Sequence, residues 1–184
     1  MPENGLIAPL PENVTYEEAA PISNGAMTAL LFLKKGKIKK GQKVLIYGAS
    51  GSVGTFAVQL AKYFETNVTG VCSTTNIDLV KSLGADNTLD YTQKDFTKNN
   101  EVYDIIFDAV GKLSSSQCKS SLKKGGVYLN VLSLSGLRLK PEDMLFLKEL
   151  MEENRLQAVI DKTYKLKTLL KHISMLIKVT KKEM

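Results

Sequence analysis

The sequence predicts an α/β fold in which helices cover both faces of an open parallel sheet, and three observations lead there. Between about residues 43 and 132, short apolar runs of strand length alternate with segments of helical period. Gly, Asn and Ser clusters punctuate the alternation. The 184 residues are 43% apolar and 24% charged, a soluble globular balance that excludes a disordered or collagen-like chain. Strands that alternate with helices imply right-handed crossovers and parallel pairing.

The elements follow in chain order. Thr15-Tyr16-Glu17-Glu18 has the form of a capping box. A helix is predicted from Ser23 to about Lys35, with Met27, Leu30, Leu31 and Leu33 as its buried side chains. The lysine run 34–43 falls where this helix ends, and lysines in a last turn favour the negative end of a helix. Lys43-Tyr47 reads as a buried strand. Ser52-Phe64 reads as a helix with Val53, Ala57, Leu60, Ala61 and Phe64 on one face. Asn67-Cys72 is a second strand, and Asn76-Leu83 a short helix capped by Asn76 and stopped by Gly84. Thr88-Tyr91 and Tyr103-Asp108 are further strands, and Asp108 is read as capping the turn behind it. Leu113-Leu122 reads as a helix that Gly125-Gly126 breaks ahead of strand Val127-Val131. Beyond it, Pro141 opens a helix with Leu145, Leu147, Leu150 and Met151 buried. Leu156-Tyr164 reads as a strand, and Leu166-Val179 as a Lys-rich amphipathic helix.

Composition removes several function classes. No apolar run approaches the ~20 residues of a membrane span. Pro2, Glu3, Asn4 and Pro9 stand where a secretory leader would need a basic and then an apolar block, so a cytoplasmic chain is expected. Cys72 and Cys118 make no disulfide framework. The single histidine, His172, excludes a multi-histidine metal site, reads as a packing or surface residue, and leaves no metal expected. The net charge of +6 comes from lysines with no aromatic interleaving, so the run reads as a solvated face and no nucleic-acid partner is expected.

Chemistry concentrates at Gly48-Ala49-Ser50-Gly51-Ser52-Val53-Gly54, between an apolar strand and an apolar helix. A dinucleotide's diphosphate requires a tight turn, a bare backbone and close helix–strand packing. Ala49, Gly51 and Gly54 meet these in the spacing Ala49-x-Gly51-x-x-Gly54, and the amides at the helix start face the phosphates. The second strand ends in Cys72-Ser73-Thr74-Thr75-Asn76, without the acid that would hold the ribose 2′-OH of NAD. Hydroxyls and an amide there favour NADP(H) over NAD(H). No Arg or Lys clamp accompanies them, so the expected preference is modest. The short-chain dehydrogenases, which also open on a Gly-rich turn, need a Tyr followed four positions later by Lys; Tyr91 is followed by Asp95 and Tyr164 by Thr168.

These residues resemble the medium-chain dehydrogenase/reductase superfamily (zinc-type alcohol dehydrogenase-like), in its zinc-independent quinone-oxidoreductase-like branch. The likeness lies in Gly41-Gln42-Lys43 through Gly54, in Ala57-Val58-Gln59-Leu60-Ala61-Lys62, in Leu83-Gly84-Ala85-Asp86 with Asp90-Tyr91, in Tyr103–Gly111, and in Leu122-Lys123-Lys124-Gly125-Gly126. The resemblance implies a Rossmann domain that binds NADPH and passes hydride to a quinone, enone or carbonyl of a small-molecule substrate. It implies that Ser50, Gly51, Ser52, Val53 and Gly54 cradle the pyrophosphate. Ser73, Thr74, Asn76 and Tyr91 would surround the 2′-phosphate, and Ala109, Val110 and Gly111 line the cleft. Ser133 and Thr28 would lie near the nicotinamide. It names no catalytic residue.

The family places a GroES-like catalytic domain of roughly a hundred residues ahead of the cofactor domain. Here only about 40 residues precede the first strand, so a truncated sheet without that domain is expected, inactive alone. The chain divides into linker helices at 1–36, an NAD(P)-binding domain at 37–140 and a C-terminal helical segment at 141–184. A shortened sheet exposes an edge strand, and a homodimer through that edge is expected. A non-catalytic nucleotide-binding or regulatory module is the alternative reading.

Overall fold

Five strands pair side by side, all parallel, around the first apolar run. Strand β1 (Lys43–Tyr47) lies between β2 (Asn67–Cys72) and β4 (Tyr103–Asp108). Strand β3 (Asn87–Asp90) flanks β2, and β5 (Leu122–Asn130) flanks β4, giving the order β3-β2-β1-β4-β5. The computed structural model describes residues 7–98, 100–133, 135, 136, 138, 140–165 and 173. His172 and all of the predicted Leu166–Val179 helix except Ile173 lie outside them.

The period-2 geometry of a strand sends alternate side chains to opposite faces, and two cores result. Val44, Ile46, Val68, Ile105, Phe107 and Leu129 face the larger. Over them lie α2 (Met27–Lys35), α3 (Ser52–Tyr63) and α6 (Pro141–Glu152). Phe32 stacks on Phe107 with ring centroids 5.2 Å apart. Leu45, Val71, Tyr103 and Ile106 face the smaller core with Phe96 and Cys118. Cys72 and Cys118 are both buried and unbridged, and burial pushes the Cys118 thiol up to about 11.

Several local expectations need correction. Residues 54–61 of α3 are all buried, rather than one face. The sheet lies on one side, α2 with the π-type turn Ile22–Ala26 on another, and the backbone at Gln157 on a third. Gly25 admits that turn, since a Cβ there would stand 2.9 Å from the Phe56 ring. The predicted 113–122 helix shrinks to α5 (Ser115–Cys118) and a 3-10 turn at Lys119–Ser121. Leu122 instead pairs with Tyr103, and Gly125-Gly126 sits inside β5 at a register shift, not between a helix and a strand. Leu145 is 44% exposed and Leu31 half-buried, whereas Phe32 takes a fully buried place on α2. Residues 156–165 join no strand of the sheet.

The lysine run is largely absorbed by the chain itself. Lys34 pairs with the buried Asp143, Lys40 with Glu65 and Lys43 with Glu101, while Lys35 donates to the carbonyls of Ser133 and Ser135. The predicted capping box is formed, with the Thr15 amide 2.9 Å from the Glu18 carboxylate, and it opens α1 (Tyr16–Ala19).

Candidate functional site

The chain leaves β1 toward β2 and β3, then returns on the other side of β1 to form β4. This reversal opens a crevice at the carboxyl ends of β1 and β4, where open α/β sheets receive ligands. The Gly48–Gly54 turn stands at its edge. Gly48 has φ +80, and a Cβ there would lie 2.2 Å from Val110 Cγ2, so the turns after β1 and β4 are in close contact. Gly54 is more confined still: its Cβ would fall 2.0 Å from the Gly48 carbonyl oxygen. Gly51 differs. Its backbone is ordinary (φ −79°, ψ 171°), and a Cβ would meet only the Gly48 oxygen, at 3.4 Å. Its hydrogen therefore faces open space. Among the described residues no side chain caps α3, so the amides of its first turn, which have no helical partners, make a site suited to an anion.

A cavity of about 490 Å³ opens beside this turn and brings together Ser50, Gly51, Ser52 and Asn76 with Ile160 and Asp161. The last two come from the segment after α6. That segment is fixed by Gln59 of α3, whose side-chain amide donates to the Gln157 carbonyl (3.0 Å) and accepts from its N–H (2.8 Å).

At the end of β2, a 3-10 turn (Thr74–Asn76) leads into α4 (Ile77–Ser82). Asn76 occupies the N-cap position without capping; its Nδ2 donates to Ser73 Oγ at 3.0 Å. Ser73 and Thr75 share a hydroxyl bond of 3.2 Å. The sequence places no carboxylate here, but the fold supplies one from the next strand, since Asp90 pairs in register with Cys72 and accepts from the Thr74 hydroxyl. That bond, then those from Thr92, hold the Asp90 carboxyl below its ordinary value. Tyr91 is 52% exposed beside Tyr47, with centroids 6.3 Å apart.

Asp108 ends β4, fully buried, and does cap the turn behind it. Its carboxylate accepts from the amides of Val110 (3.0 Å), Gly111 (2.8 Å) and Leu113 (2.7 Å). Gly111, at φ +83, lies under Leu132.

The remaining expected positions scatter. Ala49 is wholly buried, so its side chain faces the core and only its backbone belongs to the turn. Val53 is half-buried against the main core. Thr28 is half-buried in the first turn of α2, while the Ser133 carbonyl is bonded by Lys35 at that helix's other end, about two turns away. The sequence motifs contain Gly48 and Asp90 but assign them no role at the site, and Asp161 is in none of them. Gly48 directly follows an apolar strand, where a left-handed residue is readily suspected; the other two are brought in by tertiary pairing alone.

The bare turn, the uncapped helix and the adjoining cavity fit a diphosphate. Zinc is different: among the described residues no group of three or more His, Cys, Asp or Glu side chains could hold a metal ion.

The family model described as zinc-binding dehydrogenase matches residues 52–173. A zinc-type alcohol dehydrogenase-like protein of Schizosaccharomyces pombe is 39% identical over 140 residues, which cover 71% of this chain and 40% of that protein. A mitochondrial NAD(P)H oxidoreductase of Mus musculus is 37% identical over 133 residues, 67% of this chain and 34% of its own. Among solved structures, the quinone oxidoreductase of Coxiella burnetii superposes with a TM-score of 0.81 at 26% identity, over 91% of this chain and 59% of that one. The chain thus spans about two fifths or less of the two curated relatives.

Proposed function

Because the chain belongs to the zinc-binding dehydrogenase family and matches the cofactor-binding domain of the medium-chain dehydrogenases/reductases, we propose that it binds NADP(H) in preference to NAD(H). It would serve hydride transfer to a quinone, enone or carbonyl of a small-molecule substrate. One observation carries the reading: a turn with glycine at 48, 51 and 54, leading into a helix whose N-cap Gly51 offers no side chain, stands at the strand-order reversal of a parallel sheet. When bound, the nicotinamide supplies the hydride.

The chain's own residues bind and orient. The Gly51, Ser52, Val53 and Gly54 amides take the pyrophosphate, with Ser50 at the turn's shoulder. Ser73, Thr74, Asn76 and Tyr91 surround the adenosine ribose. Ala109, Val110 and Gly111, stiffened by Asp108, wall the cleft toward the nicotinamide, and Thr28 and Ser133 are the positions we assign nearest to it. Hydroxyls and an amide at the end of β2 support a modest preference for the 2′-phosphate. No zinc step is derived. Residues 37–140 are the binding unit in this reading; of the flanking parts 1–36 and 141–184, helices α2 and α6 pack against it. Among the described residues β5 has no strand on its outer side, and Val127 is 37% exposed, which supports self-pairing into a homodimer.

The test is titration of the chain with NADPH and NADH, following reduced-nicotinamide fluorescence, and then turnover against a quinone. Saturable binding with NADPH a few-fold tighter is the expected result. Binding without turnover would assign a nucleotide-binding module, and no binding of either nucleotide overturns the reading.

A further inference from the structure

The turn after β2 and the end of β3 form one hydrogen-bonded cluster, and its proton inventory is lopsided. Asp90 accepts three times. Thr74 Oγ1 donates to Oδ2, while Thr92 gives Oδ1 both its hydroxyl (2.7 Å) and its amide (2.8 Å). A hydroxyl has one proton to donate, so those of Thr74 and Thr92 are committed. Ser73 and Thr75 bond to each other, which engages one of their two protons. Asn76 commits one of its two amide protons to Ser73.

Of these side-chain protons one hydroxyl and one amide proton remain to meet a ligand, and the Tyr91 hydroxyl adds one more donor. Acceptor capacity, by contrast, is ample: the unused lone pairs of Asp90 and those of Thr74. A 2′-phosphate requires donors and is repelled by a fixed negative charge. A ribose 2′-OH requires an acceptor. Asp90 is half-buried and its pKa is lowered, first by Thr74 and then by Thr92, so it carries that charge at neutral pH.

We propose that Asp90 is a specificity-determining residue that holds down the preference for the 2′-phosphorylated nucleotide, both by its charge and by binding the hydroxyl protons of Thr74 and Thr92. This rests on the reading above that the adenosine ribose lies at the end of β2. A chain so built accepts NADH as well as NADPH. The apparent opening for a 2′-phosphate, read from hydroxyl-bearing residues, is smaller than its composition suggests.

The experiment compares wild type with Asp90→Asn, measuring dissociation constants for NADPH and NADH by nicotinamide fluorescence in one buffer at fixed salt. Asparagine keeps one acceptor oxygen, enough for the Thr92 hydroxyl and amide, loses the charge, and turns its NH2 toward Thr74, whose hydroxyl proton is released. The ratio Kd(NADH)/Kd(NADPH) is expected to rise about tenfold. A merely structural role would shift both constants together and leave the ratio in place. If Asp90→Asn melts below wild type, Asp90→Ser carries the same measurement, with a rise in the same direction. A ratio unchanged or lowered while both nucleotides still bind overturns the role of Asp90. Failure of wild type to bind either nucleotide instead overturns the proposed function.

Discussion

The turns at Gly48–Gly54 and Ser73–Asn76 cap neighbouring strands of one sheet, and they are built on opposite principles. The first works through bare backbone at its three glycines, two of which are enforced by backbone and side-chain walls 2.0 to 2.2 Å from a would-be Cβ. The second works through side chains, with four polar residues and Asp90 sharing protons. A backbone cradle is fixed by packing and tolerates almost no substitution. A hydroxyl ring is fixed by exchangeable bonds, so its chemistry can be retuned without disturbing the sheet.

Substitutions can break or sharpen that contrast. The largest effect is expected at Gly54→Ala. Its Cβ would collide with the Gly48 carbonyl, so a loss of about 3 kcal/mol in urea denaturation is expected along with loss of nucleotide binding. A stable, binding-competent Gly54→Ala chain would end the packing argument. Next comes Asp108→Ala, which strips the amides of Val110, Gly111 and Leu113 of their acceptor. A destabilisation of about 2–3 kcal/mol is expected by the same measurement. Gly51→Val separates fold from function. Its melting temperature should stay near wild type because space and backbone both accept the side chain, while NADPH affinity falls about tenfold or more.

The smallest effect tests side-chain bonding through pH. Burial works to raise the pKa of Asp86, but the Lys62 ammonium (2.8 Å) and the Val68 amide (2.7 Å) outweigh it and the net shift is downward. A carboxyl depressed in the folded state stabilises above its unfolded pKa of about 3.9, and the contribution is lost as pH falls through the folded value. Asp86→Asn should therefore cost about 0.5–1 kcal/mol at pH 7, and the gap from wild type should narrow toward pH 3 in parallel denaturation curves.

The sheet was legible because its inner strands carry short apolar stretches set between helical segments; β1, β2 and β4 begin and end at the residues that pattern assigns. The Gly-rich turn was equally plain, since its requirement is local. Legibility failed where the answer lay across the chain. Leu122 reads as the end of a helix but is drawn into β5 by Tyr103, and no local signal carries that pairing. Asn76 has the residue type of a cap, yet Ser73 offers a nearer partner. Asp90 lies eighteen residues from Cys72 and meets it only through strand register. Leu156-Tyr164 has the composition of a strand and finds no ladder among the described residues; Leu156 is buried in the main core and Gln59 binds the backbone of residue 157.

That glutamine fastens by main chain on one side only. Gln59 is a specific amide in the middle of a helix, whereas position 157 contributes nothing but its N–H and carbonyl. Any residue except proline would serve there. The tie is sequence-blind at its far end: position 157 can drift in composition and keep its bonds, while a single exchange at 59 would remove both of them at once.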